Sequence, residues 1–205
     1  MCTLPLSTAP LALNGLLYPA RKITLYGRSA ARLSYRYAAE SACERDKSPI
    51  FLVGDNRFDV YAIARYARSQ NQSQERVLNR ILVARAFTGH QLVELIRRLD
   101  PDKISGAVII SGICSAFLDQ DLTDNEAARL YYRLLARLKK LADAGTALLL
   151  TETAEIAETR RAYFLTSLFQ ESNFVFYLDG EQTYTLEMKS YRPISYVPPS
   201  KAILP

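Results

Sequence analysis

The sequence is poor in the residues that most often carry catalytic chemistry. Among its 205 residues there is one histidine, there are three cysteines, and there is no tryptophan. A single histidine and three widely spaced cysteines are too few for a Ser-His-Asp arrangement or a zinc site, so we expect neither histidine-based catalysis nor a bound metal. The odd number of cysteines predicts free thiols in a reducing compartment, namely the cytoplasm, or the nucleus in a eukaryote.

Long apolar runs and a strong net charge are also missing. No apolar run reaches the roughly 18 residues that a membrane-spanning helix needs, so we expect no membrane partner. The net charge is +5 and the isoelectric point is about 9.1. This mild basicity permits contact with an anionic polymer but does not require it.

The order of the apolar segments predicts an α/β fold with a mostly parallel sheet flanked by helices. The predicted strands occupy residues 23–26, 50–53, 81–84, 107–111 and 147–151. Helical patterns follow a cap at Asp59 and occupy residues 92–99 and 124–144, with Gly145 as the final stop. Strands that are apolar along their whole length are typical of parallel sheets covered on both faces.

The last part of the chain has a different pattern. Strands at 173–178 and 183–190, around a turn at Asp179-Gly180, predict a C-terminal β-hairpin. Prolines recur in residues 193–205, which is typical of an extended arm or a loosely ordered end. We therefore predict a single domain over residues 1–192 and a proline-rich C-terminal tail over residues 193–205.

A stretch with the frame of a phosphate-binding loop follows the first predicted strand. Gly27 and Ser34 occupy the first and last positions of the pattern G-x-x-x-x-G-K-[ST]. Arg32 stands where the second glycine belongs and Leu33 where the lysine belongs, so the bare backbone and the cation that hold phosphate are both missing. Two interpretations are open: an altered phosphate loop, or an ordinary turn between a strand and a helix.

Several segments, in the same order, resemble the ATPase core of RadA-type strand-exchange recombinases, within the RecA-fold superfamily. The most specific is 80–91, which contains Ala-Arg-Ala-Phe followed by His-Gln ahead of a leucine-rich helix. Residues 51–58 are similar to the strand that ends at the family's catalytic glutamate, here Asp55. Residues 107–111 correspond to the Walker B strand, and residues 148–153 to a strand that ends in Thr-Asn-Gln. The resemblance covers residues 11–192 and implies a RecA-like core.

The resemblance also implies that nucleotide chemistry has been lost. Besides the changes at Arg32 and Leu33, the Walker B aspartate is replaced by Ser111, and the glutamine that senses the γ-phosphate is Thr153 or is absent. Phosphoryl transfer depends on positioning and on charge neutralisation by lysine and metal. We therefore expect no ATP hydrolysis, no cofactor and an inactive Asp55 that serves as a turn residue.

Two loops that hold single-stranded DNA in this family correspond to residues 118–126 and 151–161. The first carries four acidic residues and no basic one, and the second has three glutamates ahead of two arginines. Because carboxylates oppose phosphate binding, we do not expect strand exchange by this chain alone. The candidate DNA contacts are arginines near the altered loop and in the second loop: Arg28, Arg32, Arg36, Arg160 and Arg161.

Three hypotheses follow from these features. The first is a non-catalytic recombinase paralogue, acting as a DNA-binding or structural subunit in homologous recombination or DNA repair and assembled with a recombinase-family protein or with itself. The second is a RecA-fold regulatory scaffold that binds only protein partners. The third is an ATPase with an unusual phosphate loop.

Overall fold

The computed structural model describes Leu17 and residues 21–44, 47–179 and 183–188. Its strands are β1 (Lys22–Tyr26), β2 (Ile50–Val53), β3 (Leu82–Arg85), β4 (Val108–Ser111), β5 (Leu148–Glu152), β6 (Phe174–Asp179) and β7 (Thr183–Met188). Its α-helices are α1 (Ala30–Cys43), α2 (Val60–Ser69), α3 (Gln74–Leu78), α4 (Gly89–Arg97), α5 (Asp124–Asp143) and α6 (Tyr163–Glu171). The predicted tail, 193–205, lies outside the described residues.

The strands form one sheet in the order β3-β2-β4-β5-β1-β6-β7. The first six in this order are parallel to one another, and β7 is antiparallel to β6. The prediction of an α/β fold with a mostly parallel sheet flanked by helices is confirmed. β6 also pairs with β1 in parallel, so it belongs to the main sheet.

The two faces of the sheet carry separate hydrophobic cores. One core lies under α1, α2 and α3, and the other lies under α4, α5 and α6. Along β4, Val108 and Ile110 belong to the core under α4–α6, while Ile109 belongs to the core under α1–α3. This alternation explains why the central strands are apolar at every position: both faces of the sheet are covered.

The helix ends follow the capping residues in the sequence. Asp59 accepts a hydrogen bond from the backbone N–H of Ala62 at the start of α2, as predicted. Thr88 and Thr123 cap α4 and α5 in the same manner. Gly145 lies directly beyond α5 with φ of +100°, a conformation that suits glycine and ends the helix at the predicted place.

Candidate functional site

The carboxyl ends of the parallel strands form the edge where a ligand is expected in an open α/β sheet. The neighbouring strands β5 and β1 are followed by helices on opposite faces of the sheet, α6 and α1. The same holds for the neighbouring strands β4 and β2, which are followed by α5 and α2. Each such pair creates a crevice at the carboxyl edge. The predicted site residues Gly27, Asp55 and Ser111 all lie on segments that reach this edge. Their side-chain contacts decide whether a crevice remains open.

The segment from Gly27 to Ser34 is a tight connection between β1 and α1. Because α1 begins at Ala30, only Arg28 and Ser29 separate Gly27 from the helix. The N–H of Leu33 already donates to the carbonyl of Ser29, at 3.1 Å. The hydroxyl of Ser34 is buried and donates to the carbonyl of Ala31, at 2.7 Å.

These contacts show that the segment folds as a short turn that leads directly into a helix. In a phosphate loop the residues between the first glycine and the end of the pattern form a loop with free N–H groups, and the helix begins only at that end. Here α1 already begins at Ala30, three residues after Gly27. Gly27 itself has a packing role, since a Cβ atom at this position would lie 2.3 Å from the carbonyl oxygen of Leu178 in β6. The alternative, an ordinary strand-to-helix turn, describes the fold of this segment.

Asp55 and Ser111 meet at the ends of the neighbouring strands β2 and β4. The Ser111 hydroxyl donates to Asp55 Oδ1 at 3.2 Å, and the backbone N–H of Arg57 donates to the same oxygen at 3.2 Å. Gly112 leaves no room beside them, because a Cβ atom there would lie 2.2 Å from Asp55 Cβ. Asp55 is thus held as a turn residue, which agrees with the structural role predicted for it.

Glu152 closes the edge between β4 and β5. It is only 2% exposed, and its carboxylate accepts hydrogen bonds from the backbone N–H groups of Cys114, Ser115 and Thr153 and from the Ser115 hydroxyl. Burial raises the pKa of Glu152, and these four donors act in the opposite direction. The N–H groups that follow β4 are therefore occupied by the protein's own carboxylate.

Arg161 joins the two loops that the resemblance assigned to DNA binding. Its side chain is fully buried, and its guanidinium donates to the Asp124 carboxylate at 2.9 Å and to the carbonyl of Asp119 at 3.1 Å. The carbonyl groups of Phe117 and Leu122 accept from its two terminal nitrogens. The prediction that Arg161 contacts DNA is corrected, because its donors are used inside the protein.

The remaining candidate arginines lie in different surroundings. Arg36 pairs with Glu40 at 2.8 Å and lies over the ring of Tyr66, while Arg160 lies 3.5 Å from the Asp124 carboxylate. Arg28 and Arg32 are exposed near the start of α1. Because Arg161 is buried, the structure does not place all five candidate arginines on the surface.

Tyr35 and Tyr37, which flank Arg36, are buried in the core under α1–α3. Tyr35 stacks on Phe51, with ring centroids 5.6 Å apart. Neither ring is available for stacking on a nucleotide base. Across the described part of the chain, no group of three or more histidine, cysteine or acidic residues could hold a metal ion, and no helix is long and apolar enough to cross a membrane.

Sequence reasoning missed the contacts of Glu152 and Arg161. The resemblance places both residues in a loop facing DNA, whereas the structure buries them. A signal in the sequence does exist for Glu152, because it directly follows the apolar run of the predicted strand 147–151. The structure extends β5 to Glu152 and buries all five of its residues. Nothing in the sequence identifies the carbonyl groups of the other loop as partners of Arg161, since they are backbone atoms of residues 117–122.

No protein-family model and no curated protein matches the chain. The family resemblance therefore depends only on the sequence segments named above.

Proposed function

We propose that this chain is a non-catalytic recombinase paralogue that acts as a structural subunit in homologous recombination or DNA repair. The observation that carries this proposal is the closed carboxyl edge. Ser34 and Asp55, at positions where the resemblance implies phosphate binding and catalysis, hydrogen-bond to the protein's own groups, and the buried Glu152 occupies N–H groups that follow β4. A scaffold of this type works by presenting surfaces to a partner.

The arrangement of the strands supports a RecA-like interpretation of the fold. In the dinucleotide-binding and flavodoxin-like folds the first strand is a neighbour of the second, whereas here β5 and β4 lie between β1 and β2. The strands that the resemblance assigned to the catalytic glutamate and to Walker B are neighbours, and Asp55 and Ser111 are in hydrogen-bond contact. This proximity is expected if both positions descend from one nucleotide site.

The surface best suited to a protein partner is the β3 edge, which we define as Leu82, Val83 and Phe87. Among the described strands, β3 is the outermost on its side of the sheet. The three side chains are 58%, 48% and 66% exposed, although they belong to a strand and to the residues after it. An apolar edge strand is a site for strand addition or for an apolar contact, and leaving it uncovered favours association.

The test is association with a RadA-type recombinase from the same host, measured by size-exclusion chromatography with light scattering. We expect the two proteins to elute as one complex, and we expect Phe87→Asp to weaken it by placing a charge in the contact. Tyr132→Asp is the matched control, since Tyr132 is an exposed aromatic residue on α5, away from β3. The proposal is rejected if the purified chain forms no complex with the recombinase under any nucleotide condition.

A DNA-binding version of the same subunit has one observation in its favour. Arg28 and Arg32 are exposed beside the N-terminus of α1, where the helix dipole also favours anions. Fluorescence anisotropy with single- and double-stranded oligonucleotides at several salt concentrations tests it. If both arginines contact phosphate, a double alanine variant should reduce the slope of log affinity against log salt by about 2. If the chain binds neither oligonucleotide even at low salt, the DNA-binding version is rejected and the scaffold that binds only protein partners remains.

A further inference from the structure

The carboxylate of Glu152 lies in a set of four hydrogen-bond donors between the carboxyl ends of β4 and β5. Its Oε2 accepts from the backbone N–H of Cys114 at 2.7 Å and from that of Ser115 at 3.0 Å. Its Oε1 accepts from the Ser115 hydroxyl at 2.8 Å and from the backbone N–H of Thr153 at 2.9 Å. Each oxygen therefore has two donors, an arrangement that would hold a bound anion equally well.

All four donors are electrically neutral groups. Within the described part of the chain, no lysine or arginine forms an ion pair with Glu152, so backbone dipoles and one hydroxyl stabilise its charge. Consecutive N–H groups in a turn, such as those of Cys114 and Ser115, form a concavity that binds anions. Gly112, with φ of +62°, turns the chain directly after β4 and leads into these two groups. The donors belong to the backbone turn and recognise a carboxylate by its shape and charge.

This set of donors also lies at the edge of the sheet where open α/β folds bind their ligands. Glu152 is the last residue of β5 and is only 2% exposed, so its side chain fills the space next to the donors. An external acidic ligand at this edge would need the same N–H groups that Glu152 already uses.

We propose that Glu152 is a built-in ligand, whose carboxylate fills an anion-binding site of the carboxyl edge and excludes external carboxylates from it. The contact is autoinhibitory, because a free carboxylate reaches the N–H groups of Cys114, Ser115 and Thr153 only when Glu152 is absent. This inference does not rest on a role in recombination, since it uses only the contacts of one buried side chain.

The experiment removes the built-in ligand and supplies an external one to the full chain. Glu152→Ala deletes the CH2–COO⁻ part of the side chain, and acetate has the size and charge of the deleted part. Thermal unfolding is measured over a titration with sodium acetate, in which sodium chloride keeps the ionic strength constant. We expect the melting temperature of Glu152→Ala to lie below that of the wild type and to rise with acetate in a saturable manner. At about ten times the dissociation constant of acetate the rise should be roughly 3–5 °C.

Two controls separate an anion site from a cavity that any small molecule could fill. Leu150→Ala removes a side chain of the same strand that is 1% exposed, and it leaves an apolar space. Acetamide has the shape of acetate but no charge, and its amide group brings donors where the site needs an acceptor. We expect acetate to have no more effect on Leu150→Ala than on the wild type, and acetamide to have no effect on Glu152→Ala.

A second measurement applies if Glu152→Ala does not fold in chloride alone. Circular dichroism over the same titration then measures the folded fraction of the variant, and we expect acetate to restore it while chloride and acetamide do not.

Three outcomes overturn the proposal. The first is that acetate neither stabilises Glu152→Ala beyond its effect on Leu150→Ala nor restores its folding. The second is an equal effect of acetamide, which indicates a filled cavity and no recognition of charge. The third is an equal saturable rise in the wild type, which shows that Glu152 does not block the site.

Discussion

At the scale of single residues, two buried charged side chains at the carboxyl edge most limit the ligands that this edge can bind. Arg161 and Glu152 are 0% and 2% exposed, yet each satisfies its polar atoms with backbone groups of the loop that follows β4. Burying a charge is costly unless it is paired and hydrogen-bonded, so these contacts also fix the positions of their partners. Two residues that would be candidates for ligand binding in an open site are part of the protein's internal support.

The first prediction is that Arg161→Met lowers the free energy of unfolding by about 2–4 kcal/mol. Methionine keeps part of the side-chain volume, but the carbonyl groups of Phe117, Asp119 and Leu122 lose their donor. Urea denaturation at neutral pH measures the change.

The neighbouring residue provides the control for this prediction. The side chain of Arg160 is 61% exposed and lies 3.5 Å from Asp124, so Arg160→Met should change the free energy of unfolding by about 0.5 kcal/mol or less. Equal effects of the two substitutions would show that Arg161 is not a buried support.

At the scale of elements, the connection between β1 and α1 explains why this segment has the residue spacing of a phosphate loop but does not fold as one. Gly27 turns the chain with φ of +115° and lies against the carbonyl group of Leu178. Leu33 and Ser34 face the interior from the first turns of α1 and are 7% and 0% exposed. The sequence keeps the spacing of the frame, while the helix begins too early for a loop to form.

The second prediction concerns this turn. Gly27→Ala should destabilise the protein by about 2 kcal/mol or more, because it adds a backbone clash to the strain of a positive φ. Gly145→Ala is the matched control, since Gly145 has φ of +100° but a Cβ atom added there would have nothing within 4 Å. For this control we expect only the conformational strain, about 1–2 kcal/mol.

Thermal unfolding of the two glycine variants separates packing from backbone strain. If the melting temperature falls equally in both, the close approach of Gly27 to β6 has no energetic consequence, and the packing role assigned to Gly27 is wrong.

The sequence predicted elements well where one physical cause dominates. β2 was predicted with its observed bounds because both of its faces are buried, and α5 was predicted within one residue because its apolar stripe is long and Gly145 ends it. α3 was missed because it spans only Gln74–Leu78, and α6 because it is short and three of its nine residues are aromatic, with modest helix propensity. The closure of the site was not predictable, since it depends on backbone groups of distant loops.

At the scale of the whole molecule, the closed and open surfaces lie in different places. The carboxyl edge is occupied by internal contacts, whereas the β3 edge presents apolar side chains outward. We expect a molecule built in this way to act by holding partners rather than by turning over a nucleotide.

The central claim is the absence of a working nucleotide site, and the most direct test is the melting temperature of the full chain with and without magnesium and ATP. A ligand present at 100 times its dissociation constant raises the stability by about 2.7 kcal/mol, which corresponds to a shift of roughly 5–10 °C for a domain of this size. We predict no shift at millimolar ATP. A saturable increase of several degrees that disappears in Arg32→Ala would contradict the account and identify an ATP-binding protein.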